Sequence, residues 1–180
     1  MGKRLDAITP QLQEFINEQH IFFVATATAD SRINLSPKGL DSFYIQDKNT
    51  VLWLNLTGSG NETAAHLLEN DRMTIMFCSF EKNPMILRLY GYAKAYHKED
   101  QKYKEYATLF PDHPGARQIF KVKVDLVQTS CGFAVPFMGY QGERDTLNTW
   151  AEKKGEDGIH DYWEEKNVKT LDGKPTGIPL

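Results

Sequence analysis

The chain has 180 residues, enough for one domain with a sizeable core and too few for two ordinary ones. Hydrophobic residues make up 41% and charged residues 25%, a balance that excludes a disordered chain. A formal charge of −3 offers no basic field to nucleic acid, and no apolar run reaches the roughly 20 residues of a membrane span.

In chain order, Met1-Gly2-Lys3-Arg4-Leu5-Asp6 lacks the apolar core of a leader and runs into a polar helical pattern. Asp6 stands where a myristoylation start needs Ser or Thr. Thr9 and Pro10 predict a capped helix over 10–18, with Leu12, Phe15 and Ile16 on one stripe. Strands are expected at 21–28 and 33–36, and at 42–45 and 50–55 around the turn Gln46-Asp47-Lys48-Asn49. Thr57-Gly58-Ser59-Gly60-Asn61 breaks the pattern before a helix over 62–70. Two longer strands, 73–80 and 85–96, flank the loop 81–84; a helix over 99–109 follows, ended by Pro111-Asp112-His113-Pro114-Gly115. From Phe120 to Thr129, Val122, Val124 and Leu126 alternate with Lys121, Lys123 and Asp125, the pattern of a half-buried strand. Charged helices are expected at 144–154 and 159–166, and a surface tail from Thr170.

Hairpins interrupted by a few helices favour a mainly β fold, a six-stranded antiparallel barrel with peripheral helices, over a doubly wound sheet. The reading is one domain over 1–180, with a barrel core at 9–130 and a C-terminal loop, helices and tail at 131–180. Side chains fill a barrel of this size, so a ligand belongs on its outside or between subunits.

Three segments carry chemistry. Asn34, Ser36 and Lys38 share one strand face, where an amide, a hydroxyl and an ammonium can meet a polar ring edge or a phosphate; an ordinary solvated strand end is the alternative. The loop Thr57-Gly58-Ser59-Gly60-Asn61-Glu62-Thr63 feeds a helix N-terminus, whose free N–H groups favour an anion; Asn61 or Ser59 acting only as a cap is the alternative. It is not a Walker loop, because no Gly-Lys-Ser/Thr follows. Arg88 shares a strand face with Tyr90 and needs an anion or a carboxylate, while Gly91 allows a bulge or a close approach. Trp150, in a polar segment, can cover a ligand. The five histidines show no ligand spacing, so no metal site is predicted, and no nucleophile elbow or catalytic residue is identified. Cys78 and Cys131 are too far apart for a zinc knuckle, and the expectation is a reduced, cytoplasmic protein with neither nucleic-acid nor membrane partners.

Taken in order, Ser36-Pro37-Lys38-Gly39, a hairpin ending in Asn55, the Gly-Ser-Gly-Asn loop before a helix, and Arg88-Leu89-Tyr90-Gly91 resemble the pyridoxamine 5′-phosphate oxidase-like family of FMN-binding split barrels. The resemblance covers residues 9–130. The stretch Gln128-Thr129-Ser130-Cys131-Gly132-Phe133-Ala134-Val135-Pro136, with Gly142-Glu143-Arg144-Asp145-Thr146-Leu147 and Trp150, is similar to one branch of that family.

The resemblance implies FMN at a homodimer interface. Lys38 matches the lysine closing the family's strand motif, Ser59 the serine of its phosphate loop, Asn55 a polar residue before it, and Arg88 an arginine-bearing strand. Either Asn61 or Thr63 takes the place of the loop's lysine. Ile33 replaces an arginine of the oxidase, and Ser59-Gly60-Asn61 replaces its Ser-Arg-Lys, so phosphate binding shifts toward hydroxyl, amide and backbone donors. The oxidase's C-terminal Arg-Leu-x-Pro motif is absent, which speaks against pyridoxamine phosphate as substrate. The expected activity is that of an FMN-dependent oxidoreductase fed by a donor such as NAD(P)H, with Lys38 as counter-charge to the flavin. The alternative is a carrier of flavin, deazaflavin F420 or haem without turnover. The expected phosphate site is Ser59 to Thr63, including Gly60, with charge from Arg88 or Lys38 and with Glu62 turned away.

Overall fold

The computed structural model describes residues 2–81 and 83–180; Met1 and Lys82, which fall within the N-terminal and 81–84 loop readings, lie outside the described residues. Thr9 Oγ1 accepts from the Leu12 N–H at 3.3 Å and Pro10 opens helix α1 (Pro10–Asn17), which buries Leu12, Phe15 and Ile16 as its stripe predicts.

Among the described residues eight strands form one antiparallel sheet: β1 (Lys3–Leu5), β2 (Phe22–Thr26), β3 (Asn34–Lys38), β4 (Phe43–Asp47), β5 (Thr50–Leu56), β6 (Arg72–Cys78), β7 (Met85–His97) and β8 (Ala116–Cys131). The order is β3-β2-β6-β7-β8-β5-β4, with β1 beside β8. Among the described residues no ladder joins the two ends, β3 and β4, so the barrel is split along that seam. Side chains bridge it: the Phe22 and Phe43 rings meet at 5.1 Å, tilted by 60°, and the Lys38 ammonium lies 4.9 Å from the Trp53 ring. Pro37, which has no N–H, fits because β3 is an edge strand.

The antiparallel split barrel with peripheral helices is the predicted fold, carrying more strands than the six expected. The extra strand β1 stands ahead of the predicted helix, where the sequence suggests no strand: three residues pair with Val127 to Thr129, and so short a segment carries no periodicity of its own. Val24, Val51, Ile75, Leu87, Leu89, Phe120 and Val122 are sealed inside, each contributing roughly 1.5–3 kcal/mol of burial. The bulge alternative at Gly91 is the one realised. The register of β7 against β8 shifts between Tyr90 and Gly91, and a Cβ on Gly91 would stand 2.1 Å from the Lys123 carbonyl oxygen.

Helices α2 (Glu62–Glu69) and α3 (Gln101–Ala107) lie where predicted. The C-terminal region does not. The two expected charged helices join as α4 (Thr146–Lys166), interrupted at Gly155, whose φ of 65° suits glycine. The expected surface tail is instead docked. Thr170 and Thr176 are buried, and Lys169 bridges to Pro175. Arg32 pairs with Asp172, and Lys174 reaches Asp30 and Glu69 at 2.9 Å each. These are contacts across more than a hundred residues, which no local pattern announces.

Candidate functional site

A cavity of about 650 Å³ opens at the seam, between β3, the end of β5, the loop before α2, and the C-terminal segment. It gathers every predicted site residue except Arg88 and Trp150: Asn34, Ser36, Lys38, Asn55, Ser59, Gly60, Asn61 and Thr63 all line it. Alternation along β3 does this. Leu35 is 63% exposed on the opposite face, while Asn34, Ser36 and Lys38 turn to the cavity. Ser36 Oγ donates to Asn34 Oδ1 at 3.1 Å, and Asn34 Nδ2 donates to Thr63 Oγ1 at 3.2 Å, tying the strand to the first turn of α2.

The cap reading of the loop is not realised. Asn61 is the N-cap of α2, but its side chain makes no cap hydrogen bond. Its Oδ1 accepts instead from Gln118 Nε2 at 2.9 Å, leaving Asn61 Nδ2 buried without a partner. The first N–H groups of α2 therefore have no side-chain cap, the condition under which a helix start takes an anion. Glu62 turns its carboxylate onto the Leu171 N–H at 3.1 Å, yet it still stands on the cavity rim.

Sequence reasoning missed Arg117, Trp53 and the C-terminal residues Lys166, Lys169, Thr170 and Leu171, all of which line this cavity. Arg117 Nη1 donates to Asn167 Oδ1 at 2.5 Å and Nη2 to the Gly60 carbonyl at 3.1 Å. Among the described residues neither Arg117 nor Lys38 pairs with a carboxylate. Burial therefore pulls Arg117 down to about 10. Lys38 falls to about 8, through burial first and the nearby Arg117 charge second. The rule that singled out Arg88, an arginine in an apolar strand, applies equally to Arg117. From the sequence it does not reach Arg117 because the predicted strand starts at Phe120, whereas β8 starts at Ala116 and Arg117 to Phe120 are all buried, without alternation.

The back wall is built by the C-terminal segment. Trp163 Nε1 donates to Thr57 Oγ1 at 2.9 Å, Thr57 Oγ1 donates to the Gly115 carbonyl at 2.9 Å, and Asn167 Nδ2 donates to the Gly58 carbonyl at 3.0 Å. The glycine loop is thus pinned from behind.

Arg88 is not brought to this cavity. It lies on the other face of β7, donating to Ser130 Oγ at 3.1 Å beside a Tyr90–Gln128 hydrogen bond, so within one protomer it supplies no charge here. Trp150 lines a second, larger cavity of about 1280 Å³, walled by α1, the Ser79–Glu81 turn and the segment 138–147. There His20 stacks on Tyr140 at 3.6 Å, and Tyr140 donates to Glu143 at 2.9 Å. Lys38 lines both cavities. His66 is buried and bonded to Thr26 at 3.0 Å; among the described residues no three His, Cys, Asp or Glu side chains gather as metal ligands. No helix of the described residues is long and apolar enough to cross a membrane.

A relative from Aspergillus flavus, the pyridoxamine 5′-phosphate oxidase family protein ustO, is 34% identical over 190 aligned positions, covering 94% of this chain and 76% of the relative. HupZ of Group A Streptococcus superposes with a TM-score of 0.52 at 22% identity, covering 66% of this chain and 91% of that one. An FAD-binding protein from Mesorhizobium loti gives 0.51 at 10% identity, covering 72% and 97%. The sequence profile described as pyridoxamine 5′-phosphate oxidase matches residues 8–131, which run from the entry of α1 to the end of β8. The chain belongs to the pyridoxamine 5′-phosphate oxidase family, and its split barrel is that family's fold.

Proposed function

We propose that the protein is a cytoplasmic, homodimeric FMN-dependent oxidoreductase that draws electrons from a donor such as NAD(P)H and acts on a substrate other than pyridoxamine 5′-phosphate. One observation carries this reading: the seam cavity unites the β3 face with the glycine loop and is lined by two residues with unpartnered donors. Asn61 Nδ2 and Arg117 Nε are both buried donors without partners, which is what a phosphate-bearing ligand would satisfy. The cavity lies within the range of about 300–1,000 Å³ usual for cofactor sites.

Bound FMN would supply hydride and electron transfer. The residues of the chain do the rest. The loop from Ser59 to Thr63 and the start of α2 hold the phosphate; Asn34, Ser36 and Asn55 offer polar contacts along the cavity. Lys38, facing both cavities, supplies the counter-charge to the electron-rich ring, and Trp53 beneath its ammonium fixes its position. The larger cavity, with Phe80, Tyr140, Leu147 and Trp150 on its walls, admits the substrate.

The dimer is supported by apolar residues left open on and beside the edge strand: Ile33 is 78% and Leu35 63% exposed. Arg88 and Tyr90, on the outer sheet face, would then serve the cavity of the other subunit. The experiment is reconstitution of purified protein with FMN, followed by NADPH or NADH under anaerobic conditions. Stoichiometric quenching of flavin fluorescence and loss of the yellow absorbance support the reading. No binding at micromolar FMN overturns it, and binding without bleaching by any donor leaves only a carrier.

A further inference from the structure

The donors at the inner end of the seam cavity centre on a residue outside the glycine loop. Arg117 is 3% exposed and lines the cavity. A guanidinium carries five N–H donors. Two are engaged, by Asn167 Oδ1 and the Gly60 carbonyl, and Nε has no acceptor. Beside it Asn61, 2% exposed, presents an unpartnered Nδ2, and α2 begins without a side-chain cap. Gln118 Oε1 is the one unmet acceptor on this wall, and Gln118 does not line the cavity. The Glu62 carboxylate, on the cavity rim, is engaged by the Leu171 N–H. A buried guanidinium without a carboxylate is costly to the folded chain and makes sense where a ligand completes it. Asn167 is fully buried and is fixed on three sides: Nδ2 donates to Gly58, its carbonyl accepts from Thr176 Oγ1 at 2.6 Å, and Oδ1 holds Arg117.

Resting on the flavin reading above, we propose that Arg117, positioned by Asn167 of the C-terminal segment, recognises the phosphomonoester dianion in this cavity and makes the site select FMN over dephosphorylated riboflavin. The cation of the phosphate site thus comes from β8 and is set by the docked C-terminal segment, while the glycine loop contributes neutral donors.

The test titrates FMN and riboflavin separately into parent, Arg117→Gln and Asn167→Asp proteins, followed by flavin fluorescence. Arg117→Gln removes the charge-assisted bond and lowers FMN affinity about 10- to 100-fold, with riboflavin affinity changed less than about threefold. Asn167→Asp puts a carboxylate on the guanidinium and also forfeits the Nδ2 donor to the Gly58 carbonyl, so FMN binding weakens about tenfold or more, with circular dichroism checking that the variant is folded. A parallel measurement uses inorganic phosphate alone, which raises the melting temperature of the parent and not of Arg117→Gln. Equal affinity of the parent for FMN and riboflavin, or equal loss of both on Arg117→Gln, overturns the inference and leaves the flavin reading standing. If the parent binds neither flavin while phosphate still protects it through Arg117, the flavin reading falls and the phosphomonoester site stands.

Discussion

Lys38 is held charged in a place that disfavours its charge, and Lys38→Met should therefore make the ligand-free protein more stable at neutral pH. Burial and the Arg117 charge bring the ammonium from its ordinary 10.5 to about 8, a cost of roughly 2–3 kcal/mol to the charged form once solvent at this half-buried group is allowed for. Below about pH 8 the lysine is charged in both folded and unfolded chains, and the folded protein bears the whole cost. Between about 8 and 10.5 the unfolded chain keeps a proton that the folded protein has released, so stability rises with pH; above 10.5 the cost is gone. Methionine matches the length of the stem and forfeits the contact of the ammonium with Trp53 at 4.9 Å, worth about 0.5–1 kcal/mol. The expected net gain is about 1–2 kcal/mol at pH 7, shrinking toward zero or reversing near pH 10.5. Urea unfolding of both proteins at intervals from pH 7 to 10.5 measures it. Tyr103, pushed up to about 12 by burial, works in the opposite sense above pH 10 but is common to both proteins and cancels in the difference. A variant less stable than the parent at pH 7, with no pH dependence in the difference, would refute the reasoning. FMN affinity should fall about tenfold or more in the same variant, since the cation that burdens the free protein serves the ligand.

Thr57→Val leaves the Trp163 indole N–H buried without an acceptor and should cost about 1–3 kcal/mol in urea unfolding, whereas a loss under about 0.5 kcal/mol would show that the C-terminal clamp does not matter to stability. Gly91→Ala drives a Cβ to 2.1 Å from a backbone carbonyl and should cost at least the roughly 1–3 kcal/mol of overpacking, read as loss of soluble protein or a lowered melting temperature. Ser59→Ala removes one neutral, exposed donor from the cavity and should weaken FMN by about 1 kcal/mol, near fivefold in a fluorescence titration; an unchanged affinity takes Ser59 out of the site. Sedimentation at micromolar concentration should give a dimer with an interface above about 1,000 Å², and Leu35→Glu should shift it toward monomer.

What the sequence discloses here follows from periodicity. Asn34, Ser36 and Lys38 were legible because β3 is an edge strand with one face on the cavity and the other on solvent, so period-two alternation survives. The glycine loop was legible because a break followed by a helical run is a local event. Arg117 was hidden because β8 is covered on both faces at that point and alternation fails. Arg88 drew attention by the same chemistry but lies on the wrong face, a matter of its register against Gln128 and Ser130. The docking of Asn167 depends on partners in the Gly58 loop and β8, while Thr176 is bonded to the Asn167 carbonyl, and a charged segment with no apolar stripe gives no local sign of it.

The most direct test of the central claim is a crystal structure of the protein grown with FMN. The phosphate is expected at the seam, within hydrogen-bond distance of Asn61 Nδ2, Arg117 Nε and the first N–H groups of α2, with Lys38 on the flavin side. A phosphate seated in the larger cavity beside Trp150, or on the outer face at Arg88 of its own subunit, would contradict it.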